Sequence, residues 1–262
     1  MKDNRSGPKP YIIAICQEKG GVGKTTTCAA MGSEMVSRGE KCLMIDLAPS
    51  GNLTSSFGFN LNELAHTTAD LFHDTAPLTS LIHPTSLQDL DLIPANAALA
   101  PIPRELYQNQ NYEGTLRRIF EANDFSKYDF LILDCPPGMD SVSVNAIASA
   151  DLVLLPMVCE YFALQTLENM FRLIRLTRER VNPSLMYRLV VTRMDRQASL
   201  HEQVYARIKE HYDDALLESI IGVDIKLPES QLAGVPIHLY DSETHGVSQY
   251  RALTQEVVNL IK

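Results

Sequence analysis

Residues 18–30 read EKGGVGKTTTCAA, and this stretch decides the fold. It follows an apolar run, YIIAIC (11–16), and leads into a helix expected from about Thr25 to Arg38, stopped by Gly39. Strand, glycine-rich turn and helix in that order separate a phosphate loop from a chance cluster of glycines. Glycines let backbone N–H groups turn inward around an anion, and the helix N-terminus adds its partial positive charge. The expected nucleotide-binding residues are Lys19, Gly20, Gly21, Val22, Gly23, Lys24, Thr25 and Thr26. Lys24 is expected at the β- and γ-phosphates of ATP, and the Thr25 hydroxyl at Mg2+.

Outward from the loop, apolar runs alternate with helix-period segments. KCLMID (41–46), LDLIPA (90–95), YDFLILD (128–134), DLVLLPM (151–157) and YRLVVTRM (187–194) read as strands. Helices are expected near 114–122, 142–149, 162–181, 199–212 and 248–261, and 52–89 is the least regular stretch. Uniformly apolar strands fit a sheet covered on both faces. The fold class is therefore α/β: a doubly wound, mostly parallel sheet with helices on both faces, of the P-loop NTPase kind. Ligands of such sheets bind at the carboxyl ends of the strands. Residues 1–10 are polar and read as a flexible N-terminal tail, and 11–262 as a single domain without repeats or linkers.

The 262 residues carry a formal charge of −9, so the surface as a whole repels DNA and anionic lipid. Any contact with nucleic acid has to come from a local basic patch. Five cysteines form no C-x-x-C pair and mostly sit in apolar runs, as core thiols of a reducing cytoplasm do. No run is long enough and apolar enough to span a membrane.

Two acids end apolar strands. Asp134 closes YDFLILD and Asp46 closes KCLMID, where carboxylates can hold Mg2+ through water. The loop E-K-G-G-V-G-K-T-T with its early lysine resembles the ParA/MinD group of deviant Walker A P-loop ATPases. YDFLILDCPPG (128–138), CEYFALQTLENM (159–170) and GVPIHLYDSETHGVSQYRAL (234–253) extend the likeness over nearly the whole chain and favour the ParA/Soj branch. The resemblance implies that Lys19 crosses a homodimer interface to the nucleotide of the other subunit, as an arginine finger would. It also implies catalytic roles for Lys24, Asp46 and position 48, and Mg2+ held by Thr25, Asp46 and Asp134. The final helix lacks the basic amphipathic face with which MinD-like proteins bind membranes.

Position 48 departs from the family. The segment Asp46-Leu47-Ala48-Pro49-Ser50-Gly51-Asn52 stands where relatives read D-x-D-P-Q-G-N. Ala48 replaces the acid that orients the attacking water, so hydrolysis is expected to be impaired while binding of ATP is kept. Either the chain is a naturally slow switch or Ala48 is a trapping substitution. A second departure lies at 221–230, where Val223 replaces an arginine of the family's DNA-facing segment and Lys226 keeps a charge. Arginines crowd 172–196 instead. Arg172, Arg175, Arg178, Arg196 and Lys226 are the DNA-contact candidates, with Arg193 a candidate for the nucleotide pocket. Arg172 and Arg175 fall opposite a Leu164/Leu167/Ile174 stripe, which reads equally as an ordinary solvated helix face.

The expected function is a cytoplasmic, nucleoid-associated positioning ATPase. It dimerises on ATP, binds nonspecific DNA and moves plasmid, chromosome or protein cargo with a ParB-like or cargo adaptor protein. The alternative is an ATP-binding regulatory module with little turnover and no DNA role.

Overall fold

The computed structural model describes residues 9–160 and 163–261. Most of the expected tail therefore lies outside the described residues. Eight strands form one sheet: β1 Tyr11–Ile15, β2 Cys42–Asp46, β3 His83–Pro84, β4 Leu90–Ile93, β5 Phe130–Asp134, β6 Leu152–Met157, β7 Met186–Met194 and β8 Leu216–Gly222. Their order across the sheet is β3-β4-β2-β5-β1-β6-β7-β8, and every pair is parallel except β3–β4.

The helices are α1 Lys24–Ser37, α2 Asn52–Ser56, α3 Thr68–His73, α4 Leu78–Leu81, α5 Ile102–Tyr107, α6 Thr115–Ala122, α7 Ser141–Ser149, α8 Ala163–Arg180, α9 Ser199–Tyr212, α10 Lys226–Ala233, α11 Ile237–Tyr240 and α12 His245–Ile261. The period-two alternation of strand side chains sorts them into two cores. Ala14 and Cys16 join one, with Leu106, Ala146, Leu167, Ile174 and Ile208 from α5, α7, α8 and α9. Ile13 and Ile15 join the other, with Met31, Leu53, Ile237 and Leu253 from α1, α2, α11 and α12. Burial on both faces is why the central strands are apolar throughout. All five cysteines are buried free thiols.

From β1 the chain runs outward in both directions, to β2 beyond β5 and later to β6 on its other side. This reversal opens a crevice at the carboxyl end of β1, the usual ligand position in an open α/β sheet. Register brings both acids to that end: Ile15 pairs with Asp134, and Asp134 with Asp46.

Candidate nucleotide-binding site

The loop between β1 and α1 carries two left-handed glycines, Gly21 at φ 74° and Gly23 at φ 86°. A side chain at either would strain a conformation that glycine adopts freely. Lys24 starts α1 almost fully buried, and its Nζ donates to the Lys19 carbonyl at 3.1 Å. Burial lowers its pKa, against the pull of Asp134. An ammonium desolvated this far gains strongly from an incoming phosphate.

Thr25 Oγ1 donates to Asp134 Oδ2 at 2.8 Å. A hydroxyl that donates in this way keeps its lone pairs for a cation. Asp134 is fully buried, and its other oxygen, Oδ1, has no hydrogen-bond partner. An orphaned carboxylate oxygen beside a free hydroxyl lone pair fits a hydrated Mg2+. Asp46 is equally buried but differently used. Its Oδ1 accepts from Ala48 N at 3.0 Å, and its Oδ2 from Thr54 N at 3.0 Å and Thr54 Oγ1 at 2.7 Å. These bonds make Asp46 the organiser of the loop after β2, so any hold it has on a cation runs through water.

Burial, reinforced by the charge of Asp46, pushes the Asp134 carboxyl up to about 8, against Thr25 and Lys24. Burial likewise raises Asp46, against its bonds to Thr54 and Ala48. A folded pKa above the unfolded value means stability that is present at low pH and lost as pH rises through the folded pKa. Without nucleotide the melting temperature is therefore expected to fall between about pH 4 and 8. Asp134→Asn is expected to flatten that slope, and thermal melts of both proteins across the window check it. A variant as pH-sensitive as the parent would assign the slope elsewhere.

Ala48 is buried at 6% exposure, with its backbone pinned at both ends. Its N–H donates to Asp46 and its carbonyl accepts from Gly51 N at 3.0 Å. Gly51 is irreplaceable here: its φ is 62°, and a Cβ would stand 2.7 Å from the Ala95 carbonyl. The methyl group of Ala48 is thus held in place and offers no acceptor. Lys19 forms an ion pair with Glu160 of its own chain, both side chains substantially exposed. Pairs this exposed are worth about 0–1 kcal/mol, so a phosphate can displace Glu160. Glu18 is bound by Asn169 Nδ2 of α8 at 3.0 Å, which ties the flank of the loop to the arginine-bearing helix. Thr26 exchanges hydrogen bonds with Gln231 of α10.

The DNA candidates are scattered. Arg172 and Arg175 are exposed on α8, with Leu167 and Ile174 buried on its other side and Leu164 half-buried, as the periodicity predicts. Arg178 is engaged by its own chain: Nε donates to the Leu185 carbonyl at 2.7 Å, and the guanidinium lies 5.3 Å from the Tyr187 ring centroid. Arg196 is exposed beside Glu202, 3.9 Å away. Lys226 pairs with Glu229 at 2.8 Å. A cavity of about 200 Å³ lined by Ile12, Phe120, Phe125 and Asn182 opens at the opposite, amino-terminal edge of the strands. It contains none of the loop residues.

A family model described as an AAA domain matches residues 10–187. The sporulation initiation inhibitor protein Soj of Bacillus subtilis is 35% identical, covering 94% of this chain and 97% of its own length. The chain belongs to the ParA/Soj family of P-loop ATPases. The chromosome partitioning protein ParA of Caulobacter vibrioides is also 35% identical, over 95% of this chain and 94% of its own. Among solved structures, cobyrinic acid a,c-diamide synthase from Mycobacterium smegmatis with bound ATP analogue and magnesium superposes at a TM-score of 0.83. It is 24% identical over 95% of each chain, a likeness of fold. Sequence reasoning missed Thr54 and Thr192. Neither lies in a motif, and each reaches the site only through the folded chain.

Proposed function

We propose that this chain is a partition-type positioning ATPase. ATP with Mg2+ closes two copies face to face, and the dimer holds DNA by its backbone phosphates without reading bases. A ParB-like or other cargo-bound adaptor stimulates hydrolysis and release, and the protein works in the cytoplasm on the nucleoid. One observation carries the nucleotide part: Asp134 presents a buried, unpartnered oxygen beside the Thr25 hydroxyl and within the influence of Lys24. Gly20 to Thr26 would cradle the phosphates, Lys24 would neutralise them, and Thr25, Asp134 and Asp46 would hold Mg2+. When bound, the cation supplies charge neutralisation at the phosphates. No helix among the described residues is long and apolar enough to cross a membrane.

The α8 face supports the DNA part, because Arg172 and Arg175 are exposed in a chain of net charge −9. Arg172→Glu with Arg175→Glu is expected to weaken binding to all DNA sequences alike. Each lost phosphate contact lowers the slope of log affinity against log salt by about one unit. ATP affinity, read in parallel, stays at the parent value. Undiminished DNA affinity at low salt would favour a nucleotide-binding regulatory module. One feature favours that reading: Val223 and Ile225 are 70% and 68% exposed in the segment for which the resemblance implies a DNA-facing surface.

A further inference from the structure

The end of β7 touches the phosphate loop twice. Thr192 Oγ1 donates to the Val22 carbonyl at 2.8 Å and also lies 3.2 Å from the Met157 carbonyl. Arg193 Nη1 donates to the Gly21 carbonyl at 2.9 Å. In a trans peptide the carbonyl and the next N–H point in opposite directions. Drawing the Gly21 and Val22 carbonyls out toward β7 therefore turns the Val22 and Gly23 N–H groups the other way, away from β7.

Arg193 also stands in an unusual backbone conformation. Its φ is 52°, in the left-handed region. The other non-glycine residues there are Asp74, Asp89 and Asn111, whose short polar side chains tolerate it. Arg193 falls in the register irregularity of the β7–β8 pairing between Val191 and Met194, at a strand end facing the crevice, and that irregular backbone aims its side chain at the loop. The side chain is exposed, and its one protein hydrogen bond among the described residues is to the loop.

We propose that Arg193 is a positioning residue of the phosphate loop. Its guanidinium pins the Gly21 peptide so that the Val22 N–H faces the bound phosphates, and it adds a same-chain positive charge outside the loop. This rests on the nucleotide reading above and deepens it. Lys19 acts across the dimer, whereas Arg193 acts within one chain and before dimerisation. Its effect falls on phosphates common to ADP and ATP.

The test is equilibrium binding of ADP and ATP with Mg2+ to the parent, Arg193→Gly and Arg193→Lys, with thermal melts taken without nucleotide. Glycine adopts positive φ freely, so Arg193→Gly is expected to melt at or above the parent temperature. Its affinity for both nucleotides falls about tenfold, the scale of one charge-assisted hydrogen bond. Arg193→Lys keeps the charge and recovers part of that loss. A glycine variant that binds both nucleotides like the parent overturns the proposal. So does one that melts lower, which would assign Arg193 to fold stability alone. A parent that binds neither nucleotide would sink the functional reading itself, an outcome distinct from these two.

Discussion

Restoring an acid by Ala48→Asp is expected to raise single-turnover ATP hydrolysis by about 10²–10⁴-fold, the usual worth of a proton-accepting or water-positioning group. ATP affinity should stay within about twofold, because an oriented water matters in the transition state and little in the ground state. The backbone that would carry the side chain is held. At position 48 it is fixed by Asp46 and Gly51 whatever side chain it carries. Ala48→Asn is the control, since it matches aspartate in size and lacks its charge. Rapid-quench measurement of all three proteins, alone and with DNA, reads the effect. Equal rates in the parent and the aspartate variant would place the catalytic water away from position 48, and the role carried over from the family would be wrong.

Lys19→Ala is expected to leave nucleotide binding by the monomer nearly intact and to weaken the ATP-dependent dimer by at least about 100-fold. That factor is the scale of removing one partner from a desolvated charge contact. Within the monomer Lys19 lies outside the glycine cradle, and among the described residues its ammonium pairs with the exposed Glu160. Losing that pair costs the fold at most about 1 kcal/mol. Across a dimer the same ammonium would face phosphates shielded from water, where its charge is worth far more. Light scattering across a concentration series with ATP and Mg2+, together with nucleotide titration, separates the two effects. A variant that dimerises as tightly as the parent would make Lys19 an ordinary loop residue.

The parts of this molecule that were legible in its sequence share a physical cause. The central strands β1, β2, β5 and β6 are buried on both faces, so each announces itself as an apolar run. The edge strand β8 was missed because it is half exposed and mixes Glu218 and Ser219 into its pattern. The N–H groups of those two residues are bound by the Glu256 carboxylate of α12, 38 and 37 positions away, which no local reading could foresee. β3 has two residues and leaves no pattern at all. Helix α10, part of the segment that resembles the family's DNA-facing one, bonds to α1 through Gln231 and Thr26, a contact no local pattern announces. Lys24 and Thr25 could be singled out because they lie in a glycine-loop motif, and Asp46 and Asp134 because each ends an apolar strand; register brings the two acids to one end of the sheet. Thr54, which holds Asp46, and Thr192, which braces the loop from 170 positions away, depend on the tertiary fold.

The most direct test of ATP as the bridge between two copies is sedimentation of the unaltered chain under three conditions: no nucleotide, ADP with Mg2+, and ATP with Mg2+. A monomer is expected in the first two. A dimer is expected with ATP. A monomer in all three conditions, or a dimer that forms equally without nucleotide, would contradict the proposal that ATP closes the dimer.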